Sequence, residues 1–224
     1  IEESVEIIGS GSQFGTQKNS QGSNEVFAKI AVKHESPKGV GVFLKDATGL
    51  ALSSPPGLSG FAGSRPKPSP ILSLFSFLYK KENIGFTLQH DKSPSEPIVI
   101  NNRASLSSPN TYGISLDPNF SNIDKKGPLR EVFLEDIAWG RSGDKGNKAN
   151  VGIIARRPNL LPYIWKTFSE NKIAEIFSHF LESDKVDRYY LPGISAINFV
   201  LHEVLGGGGT SSLRNDPQGK GYAQ

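Results

Sequence analysis

The stretch of sequence that organises the C-terminal half is Gly140-Arg141-Ser142-Gly143-Asp144-Lys145-Gly146-Asn147-Lys148-Ala149-Asn150. It mixes cations, a carboxylate, a hydroxyl and amides with three glycines. Apolar runs flank it at residues 132–137 and 149–155. Short apolar runs bounded by polar, glycine-bearing segments are typical of strands. We therefore expect two strands joined by a polar loop at residues 140–150.

The apolar residues beyond this loop predict two helices and one more strand. A helix is indicated by a stripe at i, i+3, i+4, i+7 and i+8, formed by Ile173, Ile176, Phe177, Phe180 and Leu181. Residues 186–191 predict a short strand. A second amphipathic helix, closed by Gly206, is indicated by Ile194, Ile197, Val200, Leu201, Val204 and Leu205. The order strand, strand, helix, strand, helix predicts an α+β, two-layer ferredoxin-like domain.

The N-terminal half carries a weaker pattern. Residues 5–8 predict a strand, and a second strand of alternating character runs through Phe27, Ile30 and Val32. A helix at residues 38–52 is left open, because glycines interrupt the apolar positions. The apolar run at residues 71–78 alternates with serines and predicts a strand, which would pair through a turn at residues 79–83 with a strand at residues 84–90.

Composition divides the chain into two domains. Residues 91–127 hold many Ser, Pro, Asn, Asp and Lys residues with isolated apolar ones, as an extended linker does. We predict a first domain at residues 1–105, a linker at 106–128 and a second domain at 129–224. The chain of 224 residues contains no methionine, which suggests a piece of a longer protein.

The bulk composition excludes several classes of function. Without cysteine the chain has no disulfides, thiolate zinc sites or cysteine nucleophiles. Its four histidines lie far apart in sequence, so we expect no metal site. The net charge of +3 comes from scattered Lys and Arg residues, which does not indicate a nucleic-acid partner. No apolar run is long enough to span a membrane, and we expect a cytoplasmic protein without a membrane partner.

The polar loop is the main candidate for a binding site. Its glycines allow close backbone approach and an anion-binding nest of amides. Arg141 would hold a carboxylate or phosphate in its fork, and Lys145 would add a point charge. The other lining residues would be Ser142, Gly143, Gly146, Asn147 and Asn150. The alternative is a structural loop in which Asp144 pairs with Arg141 or Lys145 and caps its own backbone. The residues leave both readings open.

Three weaker candidates lie elsewhere in the sequence. Backbone amides of Gly207 and Gly208, with Thr210, would surround a phosphate, although the negative end of the predicted helix there favours a simple cap or hinge. Arg65 and Lys67 are two cations on a backbone stiffened by prolines, and they would bind an anion. His202 lies one helical turn from Asn198 in the predicted helix, where the imidazole either serves catalysis or is held by hydrogen bonds.

Several of these motifs together resemble the acyclic terpene utilisation, or AtuA-like, family. Its C-terminal pattern is similar to residues 141–147 with 150–152, and to Asn198-Phe199-Val200-Leu201-His202 leading into the glycines and Thr210. The resemblance extends to Ser211, Leu213, Arg214, Asp216, Gln218, Gly219 and Lys220. Upstream, residues 57–63, Arg65-Pro66-Lys67 and residues 69–78 look like the end of that family's first domain.

The resemblance implies part of an α/β AtuA-like domain followed by a ferredoxin-like domain. The family is associated with catabolism of acyclic terpenoids such as citronellol and geraniol through acyl-CoA intermediates. One hypothesis is therefore an enzyme that holds a carboxylate or CoA-type anion through Arg141 and Lys145, with Asp144 or His202 as general acid or base. The other is a noncatalytic module that assembles a homo-oligomer through its sheet. The cofactor is unknown.

Overall fold

The computed structural model describes residues 1–15, 23–54, 56–59, 65–98, 118, 120, 127–128 and 130–224. The chain forms two compact units, the larger made of Ile1–Leu74 with Asn119–Gln224 and the smaller of Phe75–Pro118. Most of the linker predicted at residues 106–128 lies outside the described residues, so the two domains and the linker between them stay predictions.

A β-hairpin and one helix form the N-terminal part of the larger unit. Strand β1 (Glu2–Ile8) pairs antiparallel with β2 (Phe27–Lys33), which confirms both predicted strands. Helix α1 spans Pro37–Ser53, where the sequence left the structure open. Ser36 caps it by accepting a hydrogen bond from Lys38 N, and proline occupies the first turn, where its missing N–H costs nothing.

The smaller unit holds a short hairpin of β3 (Phe86–Leu88) and β4 (Glu96–Ile98). The strand expected at residues 84–90 is thus confirmed in shortened form, but its expected partner is wrong. Residues 71–78 have no regular structure, and Lys81–Asn83 is a turn of 3-10 helix. Alternation of apolar and polar residues favours a strand only where a backbone partner is present. Strand β3 pairs with β4 and not with residues 71–78.

The C-terminal part is a four-stranded antiparallel sheet with its helices on one face. Its elements are α2 (Leu134–Ile137), β5 (Ala138–Lys145), β6 (Lys148–Ala155), α3 (Leu161–Thr167), α4 (Glu170–Ile176), β7 (Val186–Leu191) and β8 (Ala196–Leu201). The strand order is β5-β6-β8-β7. Strands β6 and β7 therefore run parallel with β8 between them, and α3 and α4 connect them, as in the split β-α-β unit of ferredoxin-like folds. The predicted α+β, two-layer class is confirmed.

Two predicted elements of this part are wrong. Residues 132–137 are not a strand, because their last four residues form α2 and the edge strand β5 begins only at Ala138. The second predicted helix is strand β8, preceded by a 3-10 turn at Pro192–Ile194. In β8 the buried Ile197, Phe199 and Leu201 alternate with partly exposed residues. This is the two-residue period of a strand. The helical prediction counted Val200 as a core residue, whereas in β8 it lies on the opposite face from Phe199 and Leu201.

The core lies between the helices and one face of the sheet. Helices α3 and α4 contribute the buried Leu161, Ile164 and Ile173. Helix α4 ends at Ile176, earlier than the apolar stripe predicted, but Phe177 and Phe180 still join the core from the following turns. The residues from the sheet are Ala138, Ala149, Val151, Ile153, Ala155, Ile197, Phe199 and Leu201.

Candidate functional site

The polar segment at residues 140–150 is a β-hairpin, so the predicted loop is wrong. Strand β5 continues to Lys145, β6 begins at Lys148, and these two lysines are cross-strand partners. Only Gly146 and Asn147 form the turn, in which Gly146 has φ of 64°, as a two-residue hairpin turn demands. Side chains of successive residues therefore point to opposite faces of the sheet.

This alternation places the residues predicted for one binding site on two different faces of the sheet. Ser142 and Asp144 lie on the face that packs against the helices, in phase with Val151 and Phe199. We call the opposite side the open face. Its residues are Trp139, Arg141, Gly143, Lys145, Lys148, Asn150, Gly152, Ile154, Asp187, Tyr189, Leu191, Ala196, Asn198 and Val200. Arg141 and Asp144 accordingly do not pair.

A cleft of about 400 Å³ lies along the open face and around the edge of β5. Its polar end brings together six residues predicted for the site and one that was not, which are Arg141, Ser142, Gly143, Asp144, Lys145, Asn150 and Lys220. Its other end is mostly apolar and is lined by Gly152, Ile154, Leu191, Ile194, Ala196 and Ile197. The cleft therefore suits a ligand with an anionic head and an apolar body.

Lys220 reaches this cleft from the C-terminal segment by crossing the edge strand. A β-carbon at Gly143 would lie 3.1 Å from Lys220 Nζ and 3.9 Å from Asn150 Oδ1. The missing side chain therefore leaves room for the ammonium above β5. Lys220 Nζ also lies 3.8 Å from Asp144 Oδ1, so Asp144 pairs with Lys220 instead of the predicted Arg141 or Lys145. The sequence reading missed Lys220 as a site residue because it lies 70 or more residues from the hairpin.

Ser142 and Asp216 hold the segment that carries Lys220. The buried Ser142 Oγ donates to Lys220 O at 3.0 Å and accepts from Ala223 N at 3.1 Å. Asp216 accepts from the backbone amides of Lys220 and Gly221 at 3.0 and 2.7 Å. The hydroxyl predicted to bind substrate is thus engaged by the protein's own backbone.

Two asparagines lie in the middle of the open face. Asn150 Nδ2 donates to Asn198 Oδ1 at 3.2 Å. Gly152, on β6, is the direct cross-strand partner of Asn198. A β-carbon at Gly152 would lie 4.0 Å from Asn198 Oδ1. Asn198 was predicted on a helix beside His202, whereas in β8 it faces Gly152 and Tyr189 across the sheet.

The hairpin turn and the glycine-rich segment bind each other. Asn147 Oδ1 accepts from Leu205 N at 3.3 Å and from Gly207 N at 2.9 Å. A β-carbon at Gly208 would lie 2.8 Å from Gly146 O. Because these groups are in mutual contact, Gly146, Asn147, Gly207 and Gly208 have a structural role here and do not line the cleft.

The glycine-rich segment also follows a strand, so the predicted helix end is wrong. Gly206 does have the expected positive φ, at 59°, but it belongs to the loop after β8. Thr210 Oγ1 donates to Leu72 O at 2.6 Å and is likewise engaged. Arg65 and Lys67 lie exposed in a segment without regular structure and are not among the residues that line the cleft.

His202 forms a pair with Asp187, which the sequence reading did not name. The distance from His202 Nε2 to Asp187 Oδ2 is 2.7 Å, and Tyr189 Oη lies 3.5 Å from the same oxygen. The hydrogen bond from His202, more than its charge or that of Lys185, lowers the pKa of Asp187 against the opposing effect of burial. His202 does not line the cleft, so the two predicted catalytic groups, Asp144 and His202, do not converge.

The described part of the chain holds neither a metal-binding cluster nor a membrane-spanning helix. There, no group of three His, Asp or Glu residues lies close enough to hold a metal ion. No helix in those residues is long and apolar enough to cross a membrane. A larger cavity of about 640 Å³ lies between the β1–β2 loop and the C-terminal segment and contains none of the predicted site residues.

Family models match both halves of the chain. Residues 2–90 match the acyclic terpene utilisation family protein AtuA, and residues 132–224 match the AtuA ferredoxin-like domain. No curated protein and no solved structure matches the chain. The second match spans the four-stranded sheet, the hairpin and Lys220, and the two matches cover most of the chain in the order that the sequence resemblance implied. The chain is therefore an AtuA-like protein with a ferredoxin-like domain.

Proposed function

We propose that this AtuA-like protein acts in acyclic terpene utilisation by binding an acyclic branched acyl compound, as free acid or acyl-CoA, in the cleft of the open face. The observation that carries the proposal is the division of this cleft into a cationic end and an apolar end. A branched acyl compound with an anionic group has the same division.

The cationic end supports recognition of an anion. Arg141 is exposed, and it has no ion pair with any residue that the structure describes. Its planar fork suits a carboxylate or phosphate. Lys145 and Lys220 add two charges, while Asp144 is the sole carboxylate among the lining residues. The end of the cleft thus carries a net positive charge that a bound anion would neutralise.

The apolar end supports recognition of a branched chain. Ile154, Leu191 and Ile194 are 37%, 39% and 58% exposed. Covering apolar surface contributes roughly 25 cal/mol per Å², so a branched chain of several carbons adds a few kcal/mol. A polar metabolite of the same charge would not gain this contribution.

Asp144 is the group that we propose for proton transfer in the cleft. Its carboxylate lines the cleft and lies 3.8 Å from the Lys220 ammonium, so both groups are within reach of a ligand bound at the polar end. His202 lies outside the cleft lining and is engaged by Asp187.

A second candidate function is homo-oligomeric assembly through the open face. The observation that favours it is the row of exposed apolar side chains at Trp139, Ile154 and Leu191, beside Ile194. Light scattering of wild type and of Ile194→Ser across protein concentrations distinguishes the functions. Assembly through this face predicts dissociation of the variant, whereas ligand binding alone predicts an unchanged mass.

Calorimetric titration with citronellate tests the first function. Citronellol, which has the same chain without the charge, is the matched ligand control. We expect Arg141→Ala to weaken citronellate binding by about tenfold or more, and Arg157→Ala, which removes an exposed guanidinium outside the cleft, to leave it unchanged. Equal binding of citronellol, or unchanged binding by Arg141→Ala, contradicts the proposal.

A further inference from the structure

A row of lysines crosses the open face at the end opposite its apolar residues. Lys145 on β5 is the direct partner of Lys148 on β6. Continuing the register of β6 with β8 brings Lys148 beside His202, whose amide bonds to Lys185 O at 3.1 Å. We call Lys145, Lys148 and Lys185 the basic row. All three side chains are exposed.

This arrangement is electrostatically unfavourable in the protein alone. Like charges that lie directly opposite each other on neighbouring strands destabilise a sheet. None of the three lysines has an ion pair with a described residue. Of the nearby carboxylates, Asp144 lies near Lys220, and Asp187, which is hydrogen-bonded to His202, attracts Lys185 without forming an ion pair with it. An anion with more than one charge would remove this repulsion.

The basic row is continuous with the cleft. Lys145 belongs to both, since it lines the polar end of the cleft. From Ala196, at the apolar end, to His202, which lies beside Lys148 and Lys185 of the basic row, the chain advances six residues along the line of β8, which is about 20 Å. Between these ends lie Arg141, Asn150 and Asn198, whose groups can hydrogen-bond to a polar linker. An elongated ligand would therefore meet apolar, amide and cationic surfaces in that order.

We propose that the basic row binds the phosphate groups of a carrier to which the acyl chain is joined, so that the ligand is a phosphate-bearing acyl ester in place of a free acid. This inference rests on the proposed function, since it places the acyl chain in the same cleft. It adds the basic row as a second binding site, for phosphate, and it favours the acyl ester over the free acid as the ligand.

The matched ligands isovalerate and isovaleryl-CoA test this inference by calorimetric titration. We expect wild type to bind the CoA ester at least tenfold more tightly than the acid, and the advantage to shrink as salt is raised. The double variant Lys145→Gln and Lys148→Gln should lose the advantage. Lys166→Gln, which removes an exposed charge from α3 on the helical side of the sheet, should keep it.

The outcomes separate this inference from the proposed function. Equal affinity of wild type for acid and ester overturns the inference, as does an equal loss in Lys166→Gln and the double variant. Pyrophosphate and ADP, titrated in parallel, should compete with the ester, and failure of both to compete also overturns it. If citronellate binds through Arg141 in any of these cases, the proposed function stands. If no acyl compound binds, both proposals fail.

Discussion

Ser142 and Lys220 are joined by a hydrogen bond from Ser142 Oγ to Lys220 O, at 3.0 Å, although 78 residues separate them in sequence. The same hydroxyl accepts from Ala223 N. The bond therefore fixes the C-terminal segment on β5, and it does so beside Gly143, whose missing side chain leaves space for the Lys220 ammonium. The buried Ser142, on the helix-facing side of the sheet, thus positions the backbone from which the Lys220 ammonium reaches the open face.

Replacing Ser142 by alanine should lower both stability and ligand affinity. The variant loses two hydrogen bonds and leaves the Ala223 amide without its acceptor, which costs about 1–3 kcal/mol in the free energy of unfolding. Because Lys220 is then less well held, affinity for citronellate should also fall. Urea denaturation and calorimetry measure the two effects, with the exposed Ser73→Ala as control. Unchanged affinity would show that Lys220 needs no support from Ser142.

Replacing Gly143 by alanine should weaken binding without unfolding the protein. The new β-carbon would lie 3.1 Å from Lys220 Nζ, and this flexible end can move away at little cost. The ammonium is then displaced from the cleft, and we expect a loss of affinity with a melting temperature within a few degrees of wild type. Gly41→Ala, where nothing lies within 4 Å of the new carbon, is the control. Wild-type affinity in Gly143→Ala would exclude Lys220 from the site.

The sequence predicted the two-layer fold and most of the polar end of the cleft, because both depend on local patterns. The runs at residues 149–155 and 186–191 are strands as expected. Strand β8 was mistaken for a helix because its apolar residues also fit a helical period, and that period carries no information on the pairing of β8 with β6 and β7. Lys220 and the Asp187–His202 pair could not be predicted, since sheet register and the return of the C-terminal segment create those contacts.

Replacing Asn147 by alanine should destabilise the fold and leave ligand binding intact. Its carbonyl oxygen Oδ1 accepts from the amides of Leu205 and Gly207, and losing it leaves two backbone donors to find water or remain unpaired, at about 1–3 kcal/mol. Denaturation measures this cost, and citronellate titration measures affinity. A variant of wild-type stability that no longer binds would instead make Asn147 a ligand contact, as the sequence suggested.

The pair of Asp187 and His202 should give the protein a stability contribution that disappears in acid. The hydrogen bond from His202 holds the pKa of Asp187 below its ordinary range in the folded state. A carboxyl group whose pKa is lowered by folding stabilises the protein above its unfolded pKa, near 4, and loses this contribution as the pH falls through the lower, folded value. Lys185 and Tyr189 act on Asp187 in the same direction. Asp187→Asn should therefore be less stable than wild type at pH 7, and the difference should shrink steadily below about pH 4. Urea denaturation across this range measures it, with the exposed Asp184→Asn as control. A difference that does not change with pH would mean that the ionised carboxylate contributes nothing to the pair.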